Sequence, residues 1–225
     1  MNLLAFDTST TYGTIAFASE GKIIAENVFS NQKTHSTKLL PAIKELLNDC
    51  DVSISKIDAI AVGIGPGSFT GLRIALSTAK GICYGQKIPL IPISTLTSLA
   101  NNIANPAYQI CSVLNAGREQ FFTALFSSSL DEIEKPQIVE KKNLFKDFQK
   151  KTILVGPPLD DLNYRLKSNR KNILFTPFHL NFPRASSMIN YIITKKIEIN
   201  YNYKQIADIQ PLYLRRAAAE ENFKN

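Results

Sequence analysis

Hydrophobic positions along this chain follow two periods. Short apolar runs of strand length alternate with longer stretches whose apolar residues recur on one helical face. Residues 3–6 are such a run, closed by Asp7, and after Thr8-Ser9-Thr10-Thr11 come two β-rich runs at 13–18 and 22–29. The turn Ser19-Glu20-Gly21-Lys22 joins the last two as a hairpin, with Gly21 supplying a positive φ. Leu39, Leu40, Ile43, Leu46 and Leu47 form one stripe and predict a helix over 36–49. Ser36 or Thr37 can cap it, and Pro41 then falls at or just past the first turn, where its missing N–H matters little. Residues 57–64 read as a buried central strand, followed by the loop 65–71, a helix over 72–84, a buried strand over 88–93 and a third helix from Ser94.

The second half repeats this order. Residues 109–115 and 119–127 pair across Ala116-Gly117-Arg118. A helix over Leu144–Lys150, a strand over 152–155, a helix over 159–167, a strand over 172–175 and a helix over 185–197 follow. The turn residues Asn101-Asn102 and Asn105-Pro106 place a boundary between units 1–104 and 105–225. Antiparallel strands followed by β/α units imply an α/β class with parallel strands joined by crossovers. The second helix is apolar nearly all round: Leu72, Ile74, Ala75, Leu76, Ala79, Ile82, Cys83 and Tyr84 leave almost no polar face. Such a helix is covered on both sides, by the sheet on one and by the first helix or another chain on the other.

Composition narrows the classes. The chain has 225 residues with 44% hydrophobic, enough for a real core, and its net charge of +7 permits contact with nucleic acid without establishing it. Cys50, Cys83 and Cys111 are odd in number and contain no C-x-x-C, which excludes a disulfide scaffold or zinc ribbon and points to a reducing compartment. His35 and His179 are too few for a His-rich metal site, and each reads as a capping or surface residue. The start MNLLAFD has no basic n-region, and no run reaches the ~18 to 20 apolar residues of a membrane helix. A soluble cytoplasmic protein with no membrane partner is the expectation.

Chemistry concentrates in Gly63-Ile64-Gly65-Pro66-Gly67-Ser68-Phe69-Thr70-Gly71, between a buried strand and a helix. It is not a P-loop, because no Lys-Ser/Thr ends it, and Thr70 stands where the third glycine of G-x-G-x-x-G would fall. Two readings stand side by side. One is an anion site on the helix N-terminus. The other is a tight turn in which Gly65, Gly67 and Gly71 permit positive φ and Ser68 or Thr70 caps the helix. Gly117-Arg118-Glu119 is a solvated turn or offers Arg118 to an acidic or phosphate partner. No Ser-His-Asp order, Cys-His pair or paired carboxylates stand out, so no catalytic residue is assigned.

Four stretches together resemble one family. They are Leu3-Leu4-Ala5-Phe6-Asp7-Thr8-Ser9, the loop Gly65-Pro66-Gly67-Ser68-Phe69-Thr70-Gly71-Leu72-Arg73, the hairpin Asn115-Ala116-Gly117-Arg118-Glu119-Gln120-Phe121-Phe122, and the tail Gln210-Pro211-Leu212-Tyr213-Leu214-Arg215. The set is similar to TsaB (YeaZ), the bacterial partner subunit in tRNA threonylcarbamoyladenosine synthesis. The resemblance implies the actin-like ASKHA fold, with two lobes of related topology. It also implies a non-catalytic scaffold that binds a TsaD-like catalytic subunit, works with a TsaE-like ATPase, self-pairs when alone, and meets tRNA only through the complex. In such a fold Asp7, Thr8, Ser9, Gly65, Gly67, Ser68, Thr70 and Gly71 would form a vestigial nucleotide or phosphate site. The Asp7 segment lacks the early glycine that lets a backbone approach phosphate, so no nucleotide is expected to bind tightly, and ATP or ADP only weakly. Asp7 making a local turn bond is the other reading. The metal-binding His pair of TsaD would fall at Thr95 and Leu99, neither of which can replace an imidazole. The resemblance further implies pairing of the first two helices with those of a paralogue in a four-helix contact, through Leu39, Ile43, Leu46, Ile74, Ser77, Thr78 and Gly81. The alternative function is an ATP-dependent small kinase or hydrolase of the same fold. It needs a second phosphate loop, for which only Val155-Gly156-Pro157-Pro158 offers itself.

Overall fold

A computed structural model describes residues 1–30, 35–103, 107–144, 148–157 and 172–215, with the backbone alone for 35–37. In the first sheet, β1 (Asn2–Asp7), β2 (Tyr12–Ser19), β3 (Lys22–Ser30), β4 (Ala59–Gly63) and β5 (Leu90–Ile93) lie in the order β3-β2-β1-β4-β5. In the second, β6 (Gln109–Gly117), β7 (Gln120–Phe126), β8 (Glu132–Glu140), β9 (Thr152–Val155) and β10 (Ile173–Phe175) lie in the order β10-β9-β6-β7-β8. In both, a three-strand antiparallel meander is extended on its first strand by two parallel strands. Two sheets of one topology make the actin-like ASKHA fold.

The strands alternate between two cores, as period 2 dictates. In β1, Leu4 and Phe6 face α1 (His35–Asp49) and α2 (Phe69–Gln86), while Leu3 and Ala5 face α4 (Ala185–Thr194) through Met188, Ile189 and Ile192. On the second sheet, Ile110, Leu114, Phe122 and Phe126 pack on Leu96 and Leu99 of α3 (Thr95–Ala100), and Cys111, Val113 and Leu154 form the opposite core. Residue 104 thus separates the strands of the two sheets, whereas helices cross it in both directions. Burial pushes the thiols of Cys83 and Cys111 up to about 12, so both behave as small hydrophobes.

The helix that crosses back, α4, is capped from two distant strands, β2 and β3. Its N-cap residue Arg184 makes no side-chain cap bond. Instead the Ala185 N–H donates to Thr14 Oγ1 at 3.0 Å and the Ser186 N–H to Glu26 Oε1 at 3.0 Å. Arg184 Nε donates to the other Glu26 oxygen at 3.1 Å. Glu26 therefore neutralises a cation and satisfies a helix end at once. Glu26→Ala should lower stability by about 2 kcal/mol, the range for charge-assisted bonds that are partly buried. A urea midpoint unchanged by the substitution would show that this link holds nothing.

Several expectations shift. Pro41 lies in the second turn of α1, which starts at His35. Helix α2 begins at Phe69, three residues early, because Ser68 caps it by accepting from the Gly71 N–H at 3.2 Å; Thr70 is already helical. Strand β6 runs to Gly117, so the hairpin turn is Arg118-Glu119 alone. Helix α4 ends at Thr194 rather than 197. Strand β8 and the short α5 (Tyr203–Asp208) were not anticipated. Their signals are weak: β8 is a charged edge strand holding Pro136, tolerated only at an edge. Residues 141–144 are a turn, and the rest of the helix expected over 144–150 lies partly outside the described residues, as the whole of 159–167 does.

Candidate functional site

At the C-terminal end of β1 the segment Asp7-Thr8-Ser9 is buried. Asp7 Oδ1 accepts from the Ser9 N–H at 2.6 Å, and Oδ2 accepts from the Thr95 hydroxyl at 2.8 Å. Ser9 Oγ and Thr95 Oγ1 are 2.9 Å apart and hydrogen-bonded. The Ser68 N–H donates to the Ser9 carbonyl at 2.7 Å, and Thr8 Oγ1 donates to the Gly71 carbonyl at 2.7 Å. Ser94 Oγ and the Thr95 N–H both donate to the Gly65 carbonyl, at 3.1 and 2.8 Å. The glycine-rich loop is therefore sewn to the corner that precedes it. Only Gly65 has a positive φ, 100°; the expectation of positive φ at Gly67 and Gly71 is corrected. Those two serve close approach instead. A Cβ at Gly67 would overlap the Ser9 carbonyl oxygen, one at Gly71 the Thr8 carbonyl oxygen, and one at Gly63 the Asp7 carboxylate.

This geometry brings together Asp7, Thr8, Ser9, Gly65, Gly67, Ser68 and Gly71, and leaves Thr70 exposed on α2. Ser94, Thr95 and Gly63 also belong to the corner, although the sequence reading puts Ser94 at a helix start, Thr95 at a position of the implied histidine pair, and Gly63 in the glycine-rich stretch without making it part of the site. The Ser68 N–H and both carboxylate oxygens of Asp7 are engaged within the chain. Desolvation by burial raises the Asp7 pKa above the ordinary 3.8, and the hydrogen bonds from Ser9 and Thr95 offset this only in part. A carboxyl whose folded pKa is raised contributes stability that is complete below pH 3.8 and is lost as pH rises through the folded value. Asp7→Asn can keep the network, since its amide can donate to Thr95 Oγ1 while its carbonyl accepts from Ser9. The variant should therefore gain stability relative to the parent chain as pH rises from the ordinary carboxylate value, about 4, toward neutrality. Parallel melting curves of the two chains against pH would contradict this.

The second feature is a groove of about 1240 Å³ between α1 and α2. Leu40, Pro41 and Lys44 line one wall, and Gly81, Ile82 and Gly85 the other. A Cβ at Gly81 or Gly85 would meet nothing within 4 Å, so the α2 backbone lies bare to an incoming helix. The spacing Gly81-x-x-x-Gly85 was the available sequence signal. Of the residues expected to contact a partner, Leu39 and Leu46 are corrected. They are 0% and 5% exposed and sit in the lobe's own core, because the single apolar stripe of α1 is used up on the sheet. Ile43 is buried too but forms part of the groove floor. Ile74 is half-buried against the same core, Thr78 is half-buried, and Ser77 and Gly81 are exposed. The far side of α2 is covered by α5, whose Ile206 is buried and whose Ala207 carbonyl accepts from Lys80 Nζ at 2.7 Å.

Residues 22–223 match the family model described as "TsaD: tRNA N6-adenosine threonylcarbamoyltransferase". Among curated relatives, the tRNA threonylcarbamoyladenosine biosynthesis protein TsaB of Buchnera aphidicola subsp. Baizongia pistaciae is 30% identical over 94% of this chain and 97% of its own length. The chain belongs to the TsaD family, and within it to TsaB (YeaZ). TsaB of Bacillus subtilis is 36% identical over 64% of this chain, and the match spans only about three fifths (62%) of that relative's length. The structure of YeaZ from Pseudomonas aeruginosa superposes with a TM-score of 0.75 at 22% identity, covering 95% of this chain and 99% of that one, which supports the fold.

The two positions at which the resemblance implies a histidine pair, Thr95 and Leu99, are both turned inward. Thr95 bonds Asp7, and Leu99 is 0% exposed in the core under the second sheet. Among the described residues no three His, Cys, Asp or Glu side chains group in a way that could hold a metal ion. His179 is exposed on its loop, and the side chain of His35 lies outside the described residues. Among the described residues no helix is long and apolar enough to cross a membrane.

Proposed function

We propose that this chain is a non-catalytic scaffold in tRNA threonylcarbamoyladenosine formation, docking a TsaD-like catalytic subunit on the α1–α2 face. The observation that carries this reading is the open groove over Gly81 and Gly85 in a TsaB chain. Its floor is apolar and its backbone is accessible, which suits a packed helix from a related subunit. When alone, the chain pairs with a second copy through the same face. A TsaE-like ATPase joins the assembly, and tRNA is met through the complex rather than by this chain directly.

The corner at Asp7 is a structural joint in this reading. Its carboxylate and the Ser68 N–H are engaged by the chain itself, so ATP or ADP binds weakly at most and nothing is turned over. The test is reconstitution from purified subunits, with threonylcarbamoyl transfer to tRNA as the readout. Transfer should need both this chain and its TsaD-like subunit, which should co-elute. Transfer or nucleotide hydrolysis by this chain alone would replace the scaffold with an ATP-dependent enzyme of the same fold.

A further inference from the structure

The C-terminal segment after α5 touches both lobes within four residues. The Leu212 N–H donates to the Ile64 carbonyl at 2.7 Å, just beyond β4 in the first lobe. The Tyr213 ring stacks on Phe69 in the first turn of α2, with centroids 4.9 Å apart, and its hydroxyl accepts from Arg73 Nε at 3.2 Å. The Arg73 guanidinium in turn lies 3.9 Å over the Phe69 ring. Leu214 packs into the core of the second sheet. Arg215 then reaches the β6–β7 hairpin, where Nη1 donates to the Ala116 carbonyl at 2.8 Å and Nη2 to Gln120 Oε1.

The hairpin so gripped is not at rest. Its two turn residues, Arg118 and Glu119, have φ of 52° and 57°, next to Gly117 at 70°. A two-residue turn with both central φ positive favours Asn-Gly, because other side chains crowd the backbone there. Strained backbone persists only where its surroundings over-determine it. Here they do. Asn115 Oδ1 accepts from the Gly117 N–H at 2.7 Å, the Lys141 N–H donates to the Glu119 carbonyl at 2.8 Å, and Arg215 holds both flanks of the turn.

We propose that residues 212–215 are a latch that couples the first turn of α2 in one lobe to the strained β6–β7 turn in the other. Tyr213 and Arg215 sit two residues apart on one backbone pinned at Leu212, and an extended chain offers only about 3.3 Å per residue, leaving no slack for either end to move alone. A shift of α2, whatever its cause, pulls on Arg215 and changes how tightly the hairpin is held. The converse holds equally, since coupling is reciprocal.

Hydrogen exchange on the full chain tests this, read as the rate in the hairpin (114–122) relative to β1 and β4 so that a global loss of stability cancels. Arg215→Ala should speed hairpin exchange about ten-fold, and Tyr213→Ala, which alters only the α2 end, about three-fold. If Tyr213→Ala loosens the start of α2 and leaves the hairpin at the parent rate, the two ends are independent and the latch is refuted. Glu119→Gly removes the crowding at one turn position, so Arg215→Ala made on that background should change hairpin exchange by less than about two-fold. A full ten-fold response there would refute the role of strain. Arg215→Lys keeps the cation and loses the two-armed grip, and carries the same comparison if the alanine chain does not fold.

Discussion

Gly81→Arg should abolish association with a TsaD-like subunit while leaving the monomer folded. The position is exposed and has nothing within 4 Å of a built Cβ, so the new side chain meets no clash. It lies inside α2, where replacing glycine gains up to about 1 kcal/mol of helix propensity. In a complex the guanidinium would stand in the groove on the α2 wall, across from Leu40, Pro41 and Lys44 of α1. An unpaired charge buried at an interface costs about 3–5 kcal/mol, which corresponds to about a hundred- to five-thousand-fold in Kd. Thr78, half-buried and outside the groove lining, should give a smaller effect as Thr78→Arg. Leu46→Arg serves as the contrast, since Leu46 is 5% exposed in the core and its replacement should unfold the lobe. Titration calorimetry and gel filtration read the result. A Kd for Gly81→Arg within three-fold of the parent chain (about 0.6 kcal/mol) would remove the groove as the docking surface.

The largest loss of stability is expected at Gly71. By propensity alone, Gly71→Ala in the first turn of α2 should stabilise, by up to about 1 kcal/mol. Its φ is not in the left-handed region, so backbone freedom gives no objection. The tertiary contact decides otherwise. The added methyl would overlap the Thr8 carbonyl oxygen, a backbone atom held in turn by the run of bonds through Ser9, Ser68 and Asp7. Rigid neighbours cannot yield as a side chain would, and overpacking against them costs about 3 kcal/mol or more. That is a large part of a domain's total of about 5–15 kcal/mol. Denaturant unfolding of Gly71→Ala should show a clear drop in midpoint, with the same direction at Gly63→Ala and Gly67→Ala. A midpoint equal to or above the parent would mean that the corner is loose enough to open, and would return the segment to the list of phosphate-site candidates.

Much of this architecture was legible in the chain itself, because it is local. The apolar run at 57–64 announces a buried central strand and that at 3–6 a strand, both observed with cores on each face, and the Gly21 turn announces its hairpin, observed with φ of 77°. The repeated order of meander and β/α units implied two related lobes, and the sheets share one strand order. The same periodicity showed that α2 needs cover on two sides and that α1 needs it on one. It said nothing about what supplies that cover. Only the tertiary structure assigns the α1 stripe to the lobe's own sheet and the outer flank of α2 to α5, leaving a groove between the two helices. It alone joins Asp7 to Thr95 across 88 positions, and Glu26 to Ser186 across 160. It also turns Gly67 and Gly71 from expected positive-φ positions into points of close approach. The physical reason is one of range. Side-chain period and turn chemistry are set by neighbours a few residues away, whereas close approach, burial of a polar group and the fate of an apolar face depend on which distant segment arrives there.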